Sequence, residues 1–116
     1  MSALSDASAK LQVIADTYGY DAQSRQLIEE MSELTQAINK FWRKEMKCGN
    51  LLSPEMIYGK FPYSVSERLE NIAEEIADVK ICLEQVEYLL QCDWLVDKYV
   101  NEKIDRQLER MERKQQ

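Results

Sequence analysis

The chain offers very few places at which a helix has to end. It contains three glycines and two prolines among 116 residues, and these residue types interrupt helices most strongly. All of them except Gly19 lie between Gly49 and Pro62. The sequence therefore predicts an all-α fold, with a first helix over residues 5–18 and an irregular loop over 48–63.

Apolar residues recur every three or four positions on both sides of the predicted loop, as in helices packed in a bundle. In the second predicted helix, over 21–47, this stripe comprises Leu27, Met31, Leu34, Ile38 and Phe41. Ser64 and Glu67 form a capping box that predicts the start of the third helix, whose stripe comprises Leu69, Ile72, Ile76, Val79, Leu83, Val86 and Leu90. Asp93 is expected to cap a fourth helix that ends near Arg113.

Length and charge narrow the class of protein. At 116 residues the chain has room for one domain, 1–116. A chain this short gains by burying a second face in a partner subunit, so we expect a homodimer or homotetramer. The net charge of -6 opposes binding to a nucleic acid polymer. No apolar run is long enough to cross a membrane, and we expect a cytoplasmic protein without a membrane partner.

The chain contains no histidine and three cysteines without CxxC spacing. The absence of histidine excludes Ser-His-Asp triads, Cys-His nucleophiles and the usual zinc sites. It also excludes a di-iron carboxylate bundle, which requires Glu-x-x-His. Any chemistry has to use carboxylates, lysine, arginine or tyrosine, and the odd number of thiols suits a reducing compartment.

Two acidic pairs stand out in the second and third predicted helices. Glu30 and Glu33 are three residues apart, as are Glu75 and Asp78, so each pair projects from nearly one side of its helix. Both pairs flank the apolar stripes. If the two helices pack antiparallel, the four carboxylates converge on one cleft.

Four carboxylates brought close together repel one another unless a cation lies among them. Carboxylate-only ligation selects hard cations, and Mg²⁺, or alternatively Mn²⁺, fits better than zinc. The ordinary alternative is a solvated acidic face, since glutamate is common in helices. The repetition of the pair on two neighbouring helices favours the metal site.

The segments LIEEMSELTQAINK and NIAEEIADVKICLEQV contain these pairs. Together they resemble the EExxE and ExxD motifs of the MazG-like, all-α nucleoside triphosphate pyrophosphatase superfamily, and the resemblance covers residues 26–90. It implies a bundle-like helical fold that forms homo-oligomers. It also implies a Mg²⁺-dependent hydrolase that cleaves a nucleoside triphosphate between the α and β phosphates, yielding the monophosphate and pyrophosphate. Base and sugar preference stay open.

The resemblance also assigns roles to residues. It makes metal ligands of Glu30, Glu33, Glu75 and Asp78, and it matches Glu29 and Glu74 to the leading acids of the two motifs, which we take as the catalytic candidates. The fourth helix offers substrate-phosphate candidates at Lys103, which we prefer, and at Arg106.

Three further substrate-binding candidates lie on the second helix. Lys40 and Lys44 extend the side of the helix that carries Glu30 and Glu33, although cations there also complement the negative end of the helix dipole. Trp42 could stack on a base, although packing is the commoner fate of tryptophan. The competing function is a catalytically inactive MazG-like helical protein that acts as a binding or regulatory module.

Overall fold

The computed structural model of the chain describes residues 7–45 and 67–115. These form three helices, α1 (Ser8–Glu45), α2 (Glu67–Leu90) and α3 (Asp93–Gln115), and the described segments contain no strand. The all-α prediction is confirmed. The predicted loop over 48–63 and the predicted cap Ser64 lie outside the described residues. No helix in the described part of the chain is long and apolar enough to cross a membrane.

Gly19 divides α1 into the first two predicted helices. Its backbone has φ 85° and ψ 169°, which is not helical, although the residues on both sides of it are helical. No atom lies within 4 Å of the position that a Cβ would occupy. The backbone angles therefore require glycine here, since this region of φ and ψ is almost closed to other residues.

A Schellman turn joins α2 to α3. The Cys92 N–H donates to the Glu87 carbonyl and the Gln91 N–H donates to the Tyr88 carbonyl, both at 3.1 Å. Gln91 has φ 54°, the left-handed conformation that this turn requires. A glutamine occupies the position where glycine is usual, so the sequence contained no clear signal for the turn.

The third described helix begins one residue earlier than predicted. Asp93 is already helical, and the Cys92 carbonyl accepts hydrogen bonds from the Leu95 and Val96 N–H groups at 3.0 and 2.9 Å. Cys92 is therefore the capping position rather than Asp93. Asp93 instead places a negative charge in the first turn, where it complements the helix dipole.

The first two helices pack as an antiparallel hairpin. The Gln23 side-chain amide donates to the side-chain carbonyl of Gln85, and both residues are buried. Nearer the end of α2, the Tyr88 hydroxyl donates to the Asp16 carboxylate, 2.9 Å from each oxygen. Positions later in α1 thus pair with positions earlier in α2, as an antiparallel arrangement requires.

The hairpin contact is centred beside the predicted apolar stripes rather than on them. The buried residues of the hairpin are Leu11, Ala15, Gln23, Ala37, Val79, Cys82 and Gln85, and of these only Val79 belongs to a predicted stripe. To one side of the contact lies a surface that we call the apolar face, whose residues are 39–52% exposed: Met31, Ile38, Trp42, Ile76, Leu83 and Leu90. All of these except Trp42 belong to the predicted stripes, so five of the twelve stripe residues are exposed in the structure.

The third helix lies largely apart from the hairpin. Every residue from Asp97 to Lys114 is exposed. The predicted four-helix bundle is thus not completed by the described residues of one chain.

Candidate metal centre

Three carboxylates meet where α1 crosses α2. Glu30 and Glu33 come from one turn of α1 and Glu75 comes from α2, and one oxygen of each lies within 4.8 Å of the others. The spacing of three places Glu30 and Glu33 on neighbouring positions of one helix side, and the antiparallel packing brings Glu75 opposite them. We call these three residues the acidic cluster.

Two oxygens of this cluster are closed off from solvent without a donor. Oε2 of Glu30 and Oε2 of Glu75 are buried, and within the described chain neither accepts a hydrogen bond. Elsewhere in the cluster, the Gln26 amide donates to Oε1 of Glu30 at 2.7 Å. Buried carboxylate oxygens are costly unless a donor or a cation satisfies them.

Among the described residues, the ion pairs join Arg25 to Asp21 and Arg113 to Glu109, and neither pair involves the acidic cluster. Within the described part of the chain, the cluster therefore concentrates negative charge without an ion-pair partner.

The charges of the cluster act on one another. The pKa of Glu33 is raised, first by the charge of Glu30 and then by desolvation and the charge of Glu75. Like charges at this separation disfavour simultaneous ionisation. A bound cation would remove the cause of the shift.

Asp78 lies one turn after Glu75 and belongs to the same neighbourhood. The pKa of Asp78 is raised by desolvation and then by the charge of Glu30. Its carboxylate is not part of the group formed by Glu30, Glu33 and Glu75, in which one oxygen of each residue lies within 4.8 Å of the others. Of the four predicted ligands, the structure brings three together and places the fourth beside them.

Cys82 lies near Glu30 and Asp78, on the buried side of the acidic cluster. The residue is buried, and the pKa of its thiol is raised by desolvation, then by the charges of Glu30 and Asp78. The thiol therefore stays protonated at neutral pH and is a poor metal ligand, because the thiolate is the form that binds metals.

The leading acids of the two motifs point outward. Glu29 and Glu74 are both exposed. The charge of Glu29 also raises the pKa of Glu33, but it is the smallest of the causes. Both residues border the cluster on its solvent side rather than forming part of it.

The substrate-binding candidates of α1 divide between two sides of the helix. Lys40 is exposed and lies two turns after Glu33, at nearly the same angle around the helix. Trp42 is 49% exposed and lies on the opposite side, within the apolar face. The structure does not describe the side chain of Lys44. The structure thus brings Lys40, but not Trp42, to the side of the cluster.

Lys103 and Arg106 are exposed on α3. Neither forms an ion pair with an acid of the described residues. The structure of the single chain does not bring them to the acidic cluster.

Two glutamines near the site were not predicted from the sequence. Gln26 precedes Glu30 by four residues, and Gln-Glu pairs at this spacing interact along one helix side, so a signal was present. Gln23 has no such local signal, because its partner Gln85 is 62 positions away in the chain.

Comparison with known proteins gave no further assignment. No protein-family model, curated protein or solved structure matched the chain significantly. The structural observation that bears on function is therefore the geometry of the acidic cluster.

Proposed function

We propose that the acidic cluster binds Mg²⁺, or alternatively Mn²⁺. One observation carries this proposal: three carboxylate oxygens lie within 4.8 Å of one another, and the cluster contains two buried oxygens that accept no hydrogen bond from the described residues. A cation satisfies both oxygens and cancels the repulsion between the acids.

The chemistry of the donors favours a hard ion with few protein ligands. The available atoms are carboxylate oxygens, the neighbouring thiol is protonated, and the chain has no histidine. Mg²⁺ is usually held by a few carboxylates and completes its shell with water and substrate phosphates, whereas Ca²⁺ takes six to eight oxygen ligands.

We further propose that the protein hydrolyses a nucleoside triphosphate between the α and β phosphates, releasing the monophosphate and pyrophosphate. A bound divalent cation would supply charge neutralisation at the phosphates and activation of water. Glu30, Glu33 and Glu75 would hold that ion, and Asp78 would complete its surroundings. This substrate rests on the resemblance of residues 26–90 to the MazG-like superfamily.

Three other side chains would act at the solvent edge. Glu29 and Glu74 are exposed beside the cluster, where a carboxylate can orient a water and take its proton. Lys40 lies on the same side of α1 and would meet the distal phosphates as a point charge.

We also propose that a second copy of the chain covers the apolar face and completes a four-helix bundle. Two hairpins supply four helices, and a surface with six apolar residues can pair with its own copy in a two-fold contact. Exposed apolar patches of this kind mark interaction sites. Such a homo-oligomer would cover the exposed residues of the predicted stripes.

Metal binding is tested directly by titrating the full-length protein with Mn²⁺ and following free Mn²⁺ by electron paramagnetic resonance, with Mg²⁺ as competitor. We expect Glu30→Gln and Glu75→Gln each to weaken binding by about tenfold or more. Glu84→Gln is the matched control, since Glu84 is exposed on α2 outside the cluster. Equal affinity in all four proteins would remove the metal site.

Turnover is tested by incubating the protein with a panel of canonical and modified nucleoside triphosphates, with and without Mg²⁺, and measuring pyrophosphate. We expect Mg²⁺-dependent release that Glu33→Gln and Asp78→Asn abolish while helicity persists. Metal binding without pyrophosphate from any nucleotide would instead favour the binding or regulatory protein. Undiminished activity in both variants would mean that the site lies elsewhere.

A further inference from the structure

The third helix carries an apolar stripe that the described residues leave uncovered. Ile104, Leu108 and Met111 are 53%, 54% and 48% exposed. Two polar residues, Asp97 and Asn101, continue the same spacing toward the start of α3, so that the five positions are alternately four and three residues apart. This is the heptad spacing of a two-helix coiled-coil contact.

We propose that α3 pairs with α3 of a second copy in an antiparallel coiled coil. The stripe is complementary to itself when reversed. Ile104 then meets Leu108 of the partner subunit, and Asn101 meets Met111 of the partner subunit. In each layer, an a position of one helix faces a d position of the other, as an antiparallel coiled coil requires. One two-fold axis relates the layers to one another.

The charge distribution selects the antiparallel direction. Asp93 and Asp97 occupy the first turns of α3, and Arg113 and Lys114 occupy its last turn. In this antiparallel register, Asp97 of one helix comes near Lys114 of the partner subunit. A parallel pair in register would place Asp97 in the seam directly against Asp97 of the partner subunit, which is unfavourable.

The positions beside the seam also pair favourably in this register. Lys98 comes opposite Glu112 of the partner subunit, and the two-fold axis produces this pair twice. Lys98 is already held near the helix surface, with its Nζ 5.5 Å from the centre of the Tyr99 ring. Asp105 comes near Asp105 of the partner subunit, an unfavourable pair close to the axis.

The α3 stripe is separate from the apolar face, because Ile104, Leu108 and Met111 lie on α3 whereas the apolar face lies on the hairpin. Two separate two-fold contacts in one molecule produce a dimer of dimers.

Cross-linking tests the direction of the pairing. We expect Gln107→Cys in the full chain to form a disulfide with its own copy on oxidation, because residue 107 flanks the seam near the two-fold axis. Glu109→Cys, on the outer side of α3, is the matched control. Peptide mapping separates this bond from bonds of the native thiols. Equal yields at positions 107 and 109 would overturn the proposal.

Charge reversal gives an independent test. We expect Lys98→Glu and Glu112→Lys each to weaken association by roughly tenfold, and the double variant to restore it to within about threefold, as measured by sedimentation equilibrium. Asp105→Asn should tighten association. Glu102→Lys, on the outer side, should have no effect. Failure of the double variant to recover would exclude this register.

The outcome is separable from the metal proposal. None of these substitutions lies in the hairpin, so Mn²⁺ binding by the acidic cluster should be unchanged in each variant. Loss of the α3 contact with intact Mn²⁺ binding is the expected result. Unchanged association in Ile104→Asp, with its helicity preserved, would overturn the α3 pairing alone.

Discussion

The charges of Glu30 and Glu75 raise the pKa of Glu33, and this affects how stability changes with pH. The raised pKa values of Glu33 and Asp78 mean that the metal-free folded chain binds protons more tightly than the unfolded chain. Stability of the metal-free protein should therefore rise as pH falls from neutrality toward the ordinary glutamate value of 4.5.

Mg²⁺ should reverse this dependence, because the ion binds the ionised carboxylates and protons compete with it. Thermal unfolding in EDTA and in saturating Mg²⁺, at pH 5 and pH 7, measures both slopes. The expected melting temperature is higher at pH 5 in EDTA and higher at pH 7 in Mg²⁺. Slopes of the same sign in both conditions would contradict metal binding by these acids.

A single residue also limits the stability of the turn between α2 and α3. Gln91 adopts φ 54°, a conformation in which a side chain costs about 1–2 kcal/mol. Gln91→Gly should remove this cost and stabilise the protein by at most about 1 kcal/mol. Part of the gain is offset because glycine gives the unfolded chain more conformational entropy. Urea unfolding measures the change, with Gln12→Gly, at an exposed helical position, as the destabilising control.

At the scale of elements, the register of the hairpin depends on one buried amide pair. The Gln85 side-chain carbonyl accepts a hydrogen bond from the Gln23 side-chain amide, and both residues are buried between the helices. Gln85→Leu leaves the Gln23 amide buried without that acceptor, so we expect a loss of about 1–3 kcal/mol in the free energy of unfolding. The double variant Gln23→Leu/Gln85→Leu should recover most of this loss, as measured in urea. Additive losses would show that the pair does not act as a unit.

The sequence predicted the helices well, because glycine and proline mark their limits and apolar spacing marks their stripes. It placed Gly19 at a break and predicted the meeting of Glu30, Glu33 and Glu75. It did not predict that the contact is centred beside the stripes, on residues that include Ala37, Cys82 and the Gln23–Gln85 pair. Small and amide side chains do not stand out in a pattern of apolar spacing, so the sequence contained no signal for this contact.

The apolar face belongs to the scale of the whole molecule. If a second copy covers it, then Leu83→Glu buries an unpaired charge in the contact, and the dissociation constant should rise by at least ~100-fold. Sedimentation equilibrium measures this constant. Ile81→Glu is the control, since Ile81 is similarly exposed, at 37%, but lies on the other side of α2. Equal effects of the two substitutions would remove the assignment of this face.

Met31 and Glu33 are two positions apart, about 200° around α1, and Ile76 and Asp78 have the same relation on α2. The hairpin therefore has an acidic side and an apolar side back to back. Copies that join through the apolar side leave every acidic cluster open to the surroundings, and no ion is shared between chains. The number of ions bound should then scale with the number of chains, and each cluster should fill without regard to the others.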